Sequence, residues 1–318
     1  MAETLYSFDI FDTLITRRTA TPEGIFALMQ KKLTDSRDAS WCSERIGRNF
    51  YNLRIEAEKI ARYTYIVGEV KDITLQQIYE CFLSMGELSE PYLQKLMDLE
   101  VATEAENILP IPENIERVRR LKESGKRVVL ISNMYLSLED IRRLLLRTSS
   151  VFQDIPIYVS GELGKTKGTH TLYHYVKEQE RVEFPDWNHY GDNWNLDVKI
   201  PRSLGIRAEH YKRAGLQNWE KEILAGRENN AELQLLLGVS QKTRRLQENE
   251  DFSISYKVGC GFSAELLVPY VVWLLRESQR KEIKTLFFIA RDGYILKKIA
   301  DILIEGYSLP IKTSYLYG

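Results

Sequence analysis

The chain reads as an α/β protein built on a mostly parallel sheet, with an all-helical insert after the first strand and a helical, partial α/β segment at its end. Three observations predict this. From Pro110 onward, short apolar strands alternate with amphipathic helices. Arg127–Ser132 (RVVLIS) is a nearly unbroken apolar run, the mark of a strand covered on both faces. Between the first strand and about residue 104 only helical periodicity is found. Such alternation builds a parallel sheet with helices on both faces, and its ligands bind at the carboxyl ends of the strands.

In chain order, Leu5–Phe8 is a short buried strand that stops at Asp9, and a polar turn follows, carrying Thr13 and then Arg17 and Arg18. Pro22-Glu23 suits a helix start, with Ile25, Leu28, Met29 and Leu33 at helical spacing. Further helices are expected from Phe50 to about Ile66, from Leu75 and from Pro91. Pro112-Glu113 opens a helix that ends at Ser124-Gly125. Arg127–Ser132 is the next strand, and Ser137 to Arg147 a helix. Ile157–Val159 is a strand, and a helix begins near Leu172. His189-Tyr190 leads into Gly191-Asp192, a helix follows from Val198, and Ile206–His210 is the last strand of this module.

Leu216 to Glu250 reads as a charged helix pair linking two modules, and Gly259–Arg280 as one long apolar helix. Thr285–Ala290 is a strand, Tyr294–Ile304 a helix and Ile311–Tyr317 a strand. A sheet of two strands is marginal alone, so either the segment packs on the first module or the chain is a fragment of a longer protein whose second α/β domain is cut; the fragment is expected. The Arg291-Asp292-Gly293 turn at a strand's end reads equally as a site of that domain or as a surface turn with glycine at positive φ.

Bulk composition narrows the function classes. The 318 residues carry 44 basic and 45 acidic side chains, so nothing draws the chain as a whole toward nucleic acid or acidic lipid. Cys42, Cys81 and Cys260 lie far apart, which argues against a disulfide framework or a zinc site and suits a reducing cytosol. No signal peptide is evident. The longest apolar run, Leu266–Leu275, is broken by Pro269 and falls short of the ~20 residues a membrane span needs. A cytoplasmic location is expected.

Four segments carry chemistry. Asp9 ends an apolar strand, where a carboxylate can bind a divalent cation and attack phosphorus. Ser132 ends the second strong strand and is followed by Asn133; a hydroxyl there can bond a phosphate oxygen. Lys165 and Lys167 stand in GKTKG before a helix, where a lysine neutralises phosphate charge. Gly191-Asp192-Asn193 through Asp197 supplies two carboxylates at a strand end, hard oxygen ligands that suit Mg²⁺. Singly, each has an ordinary reading as a turn residue, helix cap or solvated lysine. In this order, each near a strand end, they point to one rim.

In these motifs the chain resembles the haloacid-dehalogenase-like (HAD) superfamily of hydrolases. The segments SFDIFDTLITR, RVVLISNMYLS, HYGDNWNLDV and FFIARDGYILKK resemble more narrowly a subgroup of predicted hydrolases encoded with, or fused to, glycosyltransferases of surface polysaccharide synthesis. The resemblance implies a Rossmann-like HAD core at residues 1–16 and 105–213, a helical C1-type cap at 17–104, and a linker plus partial second α/β domain at 214–318. It implies that Asp9 forms an aspartyl-phosphate. The Asp9 carboxylate, the Phe11 carbonyl and Asp192 would hold Mg²⁺, supported by Asp197. Ser132 and one lysine would balance the phosphate oxygens, with Thr13 and Asn133 beside the substrate. Counting back from Leu172 and Tyr173 favours Lys167 as that lysine, and counting back from Gly168 favours Lys165; Lys167 is taken. The substrate would be a small phosphorylated metabolite such as a sugar phosphate, and a polysaccharide-synthesis protein or fused domain the partner.

The chain departs from the family's pattern at Phe11, where phosphatases of this kind carry the aspartate that serves as general acid and base. Thr13-Leu14 fix the register, so Asp12 is not that acid and is expected to bond the turn backbone. A missing acid costs ~10²–10⁴ in rate on an alkyl phosphate. Three explanations stand: the cap supplies the acid, the substrate needs none (an acyl phosphate, or a non-phosphate substrate as in dehalogenases), or the domain holds a phosphorylated ligand without turnover, as a scaffold. Gly191-Asp192 with Asp197 keeps a metal site that halide displacement does not need.

Overall fold

The computed structural model describes residues 4–35, 41–84, 90–212, 215–247 and 253–317. They form two compact units, Met1–Gly238 and Val239–Gly318. The first is built on a five-stranded parallel sheet of β1 (Leu5–Phe8), β4 (Arg127–Ser132), β5 (Ile157–Val159), β6 (Trp187–Gly191) and β7 (Arg207–His210). The strand order is β5-β4-β1-β6-β7. From β1 the chain winds outward to one edge, then returns to the other side of β1, so the order reverses between β1 and β6. That reversal opens a crevice at the strands' carboxyl ends.

The apolar pattern of β4 has a direct cause. Val128 and Leu130 face one core, with Ile115, Val118 and Leu144. Val129 and Ile131 face the other, with Leu172, Tyr173 and Trp187. Both faces are buried, so no position can be polar until the strand ends at Ser132. The covering helices are α5 (Pro112–Glu123) and α6 (Leu138–Thr148) on the first face, and α8 (Thr171–Glu180) on the second, after the short α7 (Ser160–Leu163). Capping sets their starts: Pro112 opens α5, and the Ser137 hydroxyl accepts the Asp140 N–H at 3.1 Å before α6. Gly125, at φ 69°, ends α5 as a left-handed stop.

Two elements escape the sequence periodicity. Ile15–Arg17 (β2), expected as part of a polar turn, pairs antiparallel with Ile108–Pro110 (β3). Three residues are too few to show alternation, and the partner is remote in sequence. Between them lie four helices: α1 (Gly24–Asp35), α2 (Glu44–Tyr65), α3 (Leu75–Ser84) and α4 (Glu90–Asn107). The second helix begins earlier than Phe50 because Ser43 caps it, accepting the Ile46 N–H at 3.2 Å. α9 (Ile200–Leu204) and β7 close the sheet. Past them come α10 (Asn218–Leu224) and α11 (Ala231–Gln247). The start of α11 belongs to the first unit: the Gln234 carbonyl accepts the Ala20 N–H at 2.9 Å, and a Cβ on Gly238 would fall 1.8 Å from the Arg18 carbonyl oxygen. The expected module boundary at 213/214 thus differs from the boundary of compactness, and residues 248–250 of the expected helix pair lie outside the described residues.

The second unit pairs β8 (Thr285–Ile289) with β9 (Lys312–Leu316) in parallel. The apolar helix expected from Gly259 starts earlier, at α12 (Ile254–Val258), and passes through a wider turn in which the Ala264 N–H bonds the Gly259 carbonyl. It continues as α13 (Ala264–Arg280). Val271 and Leu275 then pack with Phe288 and with Ala300 of α14 (Gly293–Tyr307). Gly293 does not take the positive φ that the surface-turn reading required. It opens α14 where a Cβ would lie 3.0 Å from Phe288, so the close approach is what requires glycine. Arg291 and Asp292 are solvent-exposed.

Cys42 and Cys81 are free thiols, and the Cys260 side chain lies outside what is described. No helix among the described residues is long and apolar enough to cross a membrane.

The helical insert has its own polar anchor. Arg54 of α2 is fully buried and grips Glu100 of α4 through Nε at 2.8 Å and Nη2 at 2.9 Å. Tyr79 Oη donates to the same carboxylate at 2.7 Å. Glu100→Ala leaves this buried arginine with Glu58 alone, at 3.1 Å, and a loss of about 3–5 kcal/mol in urea unfolding is expected. The pair replacement Arg54→Met with Glu100→Leu recovers most of it; an unchanged midpoint in the single variant contradicts the assignment.

Candidate active site

The carboxyl ends of β1, β4 and β6 open into a cavity of about 470 Å³, whose far wall comes from α1 and α2. Asp9 follows β1 and is fixed by its backbone, whose N–H donates to the Tyr190 carbonyl at 2.9 Å. Lys167 reaches in from the loop before α8. Its ammonium donates to Asp9 Oδ1 at 2.5 Å and to Asp197 Oδ1 at 2.6 Å, with only 1% of the residue exposed. Asp192 completes the group: Asp9, Asp192 and Asp197 each place a carboxylate oxygen within 4.8 Å of the others.

Each position has a local cause. Asp197 sits in a wide turn over Trp194–Lys199. Its Oδ2 accepts the Asn193 N–H at 3.0 Å. The carboxylate folds back over Gly191, where a Cβ would lie 2.5 Å from Asp197 Cβ and Cγ, so only glycine permits the fold. Asn133 Oδ1 accepts the Lys167 N–H at 3.0 Å, which fixes the lysine loop. Ser132 and Asn133 line the cavity, as does Phe11.

Two expected residues lie elsewhere. Thr13 is fully buried and off the cavity wall; its hydroxyl accepts the Asp192 N–H at 3.1 Å and its carbonyl accepts Asn114 Nδ2 at 2.6 Å, so it ties two loops together. Lys165 points away from the carboxylates, its ammonium 5.7 Å from the Tyr175 ring centroid. Asp12, expected to bond the turn backbone, accepts the Thr16 hydroxyl at 2.7 Å, with a positive φ of 61° that aspartate tolerates.

A polar relay beneath the site has no counterpart in the sequence reading. Trp187 Nε1 donates to Ser7 Oγ at 2.7 Å, and Ser7 Oγ lies 2.6 Å from His189 Nδ1. His189 Nε2 lies 3.1 Å from Asp197 Oδ1. A carboxylate only accepts, so Nε2 carries the proton, Nδ1 accepts, and Ser7 donates to it. Burial lowers the His189 pKa and keeps the ring neutral. Ser7 and His189 are register partners on neighbouring strands. Two polar residues at matched positions of central apolar strands were the available signal.

Electrostatics then say what the site lacks. Burial pushes Asp9 up to about 8, against the pull of Lys167 and with the push of Asp197 and Asp192. Burial also acts to raise Asp197, but Lys167 and His189 outweigh it and hold that carboxyl low. With all three carboxyls ionised, one ammonium would leave two negative charges uncompensated, and Asp9 gives way by holding its proton. An all-oxygen set with that deficit fits a hard divalent cation, which would also restore Asp9 to its ionised form.

No family model matches the chain, and no curated protein matches it. Solved structures with a similar course of the chain include a 2-haloacid dehalogenase from Pseudomonas syringae pv. Tomato DC3000, 15% identical over 66% of this chain and 86% of that one, with a TM-score of 0.48. A HAD phosphatase from Thermococcus onnurineus is 18% identical over 70% and 98%, with a TM-score of 0.43. A HAD-family enzyme from Bacteroides thetaiotaomicron, in complex with magnesium and inorganic phosphate, is 14% identical over 69% and 98%, with a TM-score of 0.39.

Ser7→Ala removes the hinge of the relay, leaving the Trp187 indole N–H and His189 Nδ1 without partners. A loss of about 1–3 kcal/mol is expected, read by chemical denaturation. In the native protein ¹⁵N–¹H spectra are expected to show His189 as the neutral Nε2–H tautomer, and the opposite tautomer would refute the relay.

Proposed function

We propose that the chain is a HAD-like, Mg²⁺-dependent phosphohydrolase in which Asp9 attacks phosphorus and carries an aspartyl-phosphate. The observation that carries the reading is the Lys167 ammonium set between Asp9 and Asp197, with Asp192 alongside, at the crevice where the strand order reverses. The four sequence motifs support it. Mg²⁺ fits the Asp9, Asp192 and Asp197 oxygens, and when bound it would neutralise charge on the transferring phosphoryl group. The protein's own part is positional. Asp197 and Asn133 hold Lys167 still, so its charge is already in place as negative charge builds on the phosphoryl oxygens. Ser132, on the same wall, suits a hydrogen bond to one of those oxygens. The metal set argues for phosphoryl transfer over halide displacement.

A second reading rests on Phe11: with no acid two residues after Asp9, the domain binds a phosphorylated ligand without turning it over, as a scaffold for a polysaccharide-synthesis partner. The resemblance to hydrolases that accompany glycosyltransferases makes sugar phosphates the first compounds to assay for either reading. Their cytoplasmic setting goes with that partnership.

The purified chain, assayed on sugar phosphates and acyl phosphates, is expected to release phosphate with Mg²⁺ and to stop with EDTA. Asp9→Asn is expected to abolish turnover. Turnover that persists through either change sinks the enzyme reading, and calorimetry showing ligand held without hydrolysis selects the scaffold. Lys167→Met is expected to cost about 10²–10³ in kcat, the scale of one fixed electrostatic contact at a transition state. A loss of less than tenfold would remove Lys167 from the machinery.

A further inference from the structure

Phe11 stands on the cavity wall two residues after Asp9, where its ring has no proton to give. The guanidinium of Arg17 lies 4.4 Å from the centroid of that ring. Arg17 comes from β2, and Glu104 of α4 holds it, accepting from Nε at 2.9 Å and from Nη2 at 2.7 Å. Only 7% of Arg17 and 1% of Glu104 is exposed. Nη1 enters no hydrogen bond among the described residues, and Arg17 is part of the cavity lining. In the cavity that Asp9 lines, then, the chain puts a cation that keeps its proton and has spare N–H donors.

Two other carboxyl groups on the wall, Glu58 and Asp12, are already engaged. Glu58 accepts charge-assisted bonds at both oxygens, from Arg54 at 3.1 Å and from Arg62 at 2.9 and 3.1 Å. Asp12 accepts the Thr16 hydroxyl and stands in the field of Arg17. Leaving-group chemistry follows from this. An alcohol has a pKa near that of water, about 16, and departs slowly unless protonated. A carboxylic acid, near 4, or a phosphate, whose second pKa is near 6, departs as an anion and needs only its charge stabilised. A fixed guanidinium does that and cannot do the other.

We propose that the substrate carries its phosphoryl group on an acidic leaving group, as an acyl phosphate or phosphoanhydride, and that Arg17 stabilises the departing anion over Phe11. The proposal rests on Asp9 being the nucleophile. In the first step the bond from an Asp9 carboxylate oxygen to phosphorus forms and the bond from phosphorus to the leaving oxygen breaks. The electron pair goes with that oxygen, which leaves as carboxylate or phosphate with no proton moved. In the second step water attacks phosphorus, the Asp9–phosphorus bond breaks, and the electron pair returns to Asp9. Both protons of the water stay with the product, as dihydrogen phosphate.

The test is a substrate comparison on the full chain with Mg²⁺, using acetyl phosphate, pyrophosphate, glycerol 3-phosphate and aryl phosphates of graded leaving-group acidity. The better acidic substrate is expected to exceed glycerol 3-phosphate in kcat/KM by about 10²–10⁴, the size of the missing acid's effect. Preference between acetyl phosphate and pyrophosphate identifies which anhydride the site takes. Aryl phosphate rates are expected to fall steeply as the leaving group becomes more basic. Phe11→Asp is expected to raise turnover of glycerol 3-phosphate. Arg17→Met, made with Glu104→Gln so that no buried carboxylate is stranded, is expected to cut turnover of the better acidic substrate by about 10²–10³ in kcat. If that variant does not fold, the slope of the aryl series in the native chain decides alone. Comparable turnover of glycerol 3-phosphate and the acidic substrates overturns the proposal, most directly if Asp12→Asn or Glu58→Gln abolishes only the former. No turnover of any substrate by a chain that still binds beryllium fluoride with Mg²⁺ overturns it while sparing the phosphate site. No turnover and no beryllium fluoride binding overturns the underlying reading as well.

Discussion

The ammonium of Lys167 is the constraint around which the first unit is arranged. A lysine with 1% of its surface exposed is tolerable only because two carboxylates meet it, at 2.5 and 2.6 Å. Burial works against its charge, and the Asp197 and Asp9 fields more than restore it. Each member of the trio is therefore conditional on the others. Removing the ammonium would leave Asp9, Asp192 and Asp197 as three carboxylates repelling one another across less than 5 Å, and removing Asp197 would leave the lysine half-compensated.

Much of the surrounding architecture can be understood as support for that trio. Gly191 has no side chain because Asp197 occupies the space a Cβ would take. The wide turn at Trp194–Lys199 aims Asp197 back at the sheet, a common use of such turns at functional sites. His189 stays neutral, so it gives Asp197 a hydrogen bond without adding a second positive charge that would compete with a metal ion. Ser7 and Trp187 fix the ring from below. The sheet order places these groups together, because β1 and β6 adjoin where the winding reverses.

Legibility in the sequence tracked the length scale of the cause. Arg127–Ser132 and Ile157–Val159 were readable to the residue, because burial on both faces writes itself into consecutive side chains. Ile15–Arg17 and Ile108–Pro110 were not, because three-residue strands show no period and owe their form to each other. The same oversight hid Arg17, which looked like a turn residue until its strand and its partner on α4 were known. Asp9 and Asp192 could be picked out as polar residues at strand ends, and Asp197 by its spacing from Asp192, but their mutual distance could not. The lysine was decided by counting from the helix that follows, and Lys167 is the one near the carboxylates. His189 was invisible as chemistry, since a buried histidine within a strand announces itself only through its cross-strand partner.

The same helix holds a buried cation inside the insert and another at the cavity. Glu100 and Glu104 stand one turn apart on α4. The first compensates Arg54 inside the insert and the second compensates Arg17 at the cavity. Each arginine also rests on an aromatic face: Arg54 lies 4.4 Å from the Phe26 centroid, and Arg17 lies at the same distance from Phe11. Four charged side chains held in fixed pairs away from water leave little freedom for the guanidinium over Phe11, so it would not have to reorganise as charge develops on a leaving group. A solvated arginine in that place would supply the same formal charge and far less of the effect, because water would screen it and it would have to be brought into position. The desolvation spent on burying the Arg17–Glu104 pair would, on the proposed reading, have its return at the cavity, where the Phe11 ring carries a rigid cation.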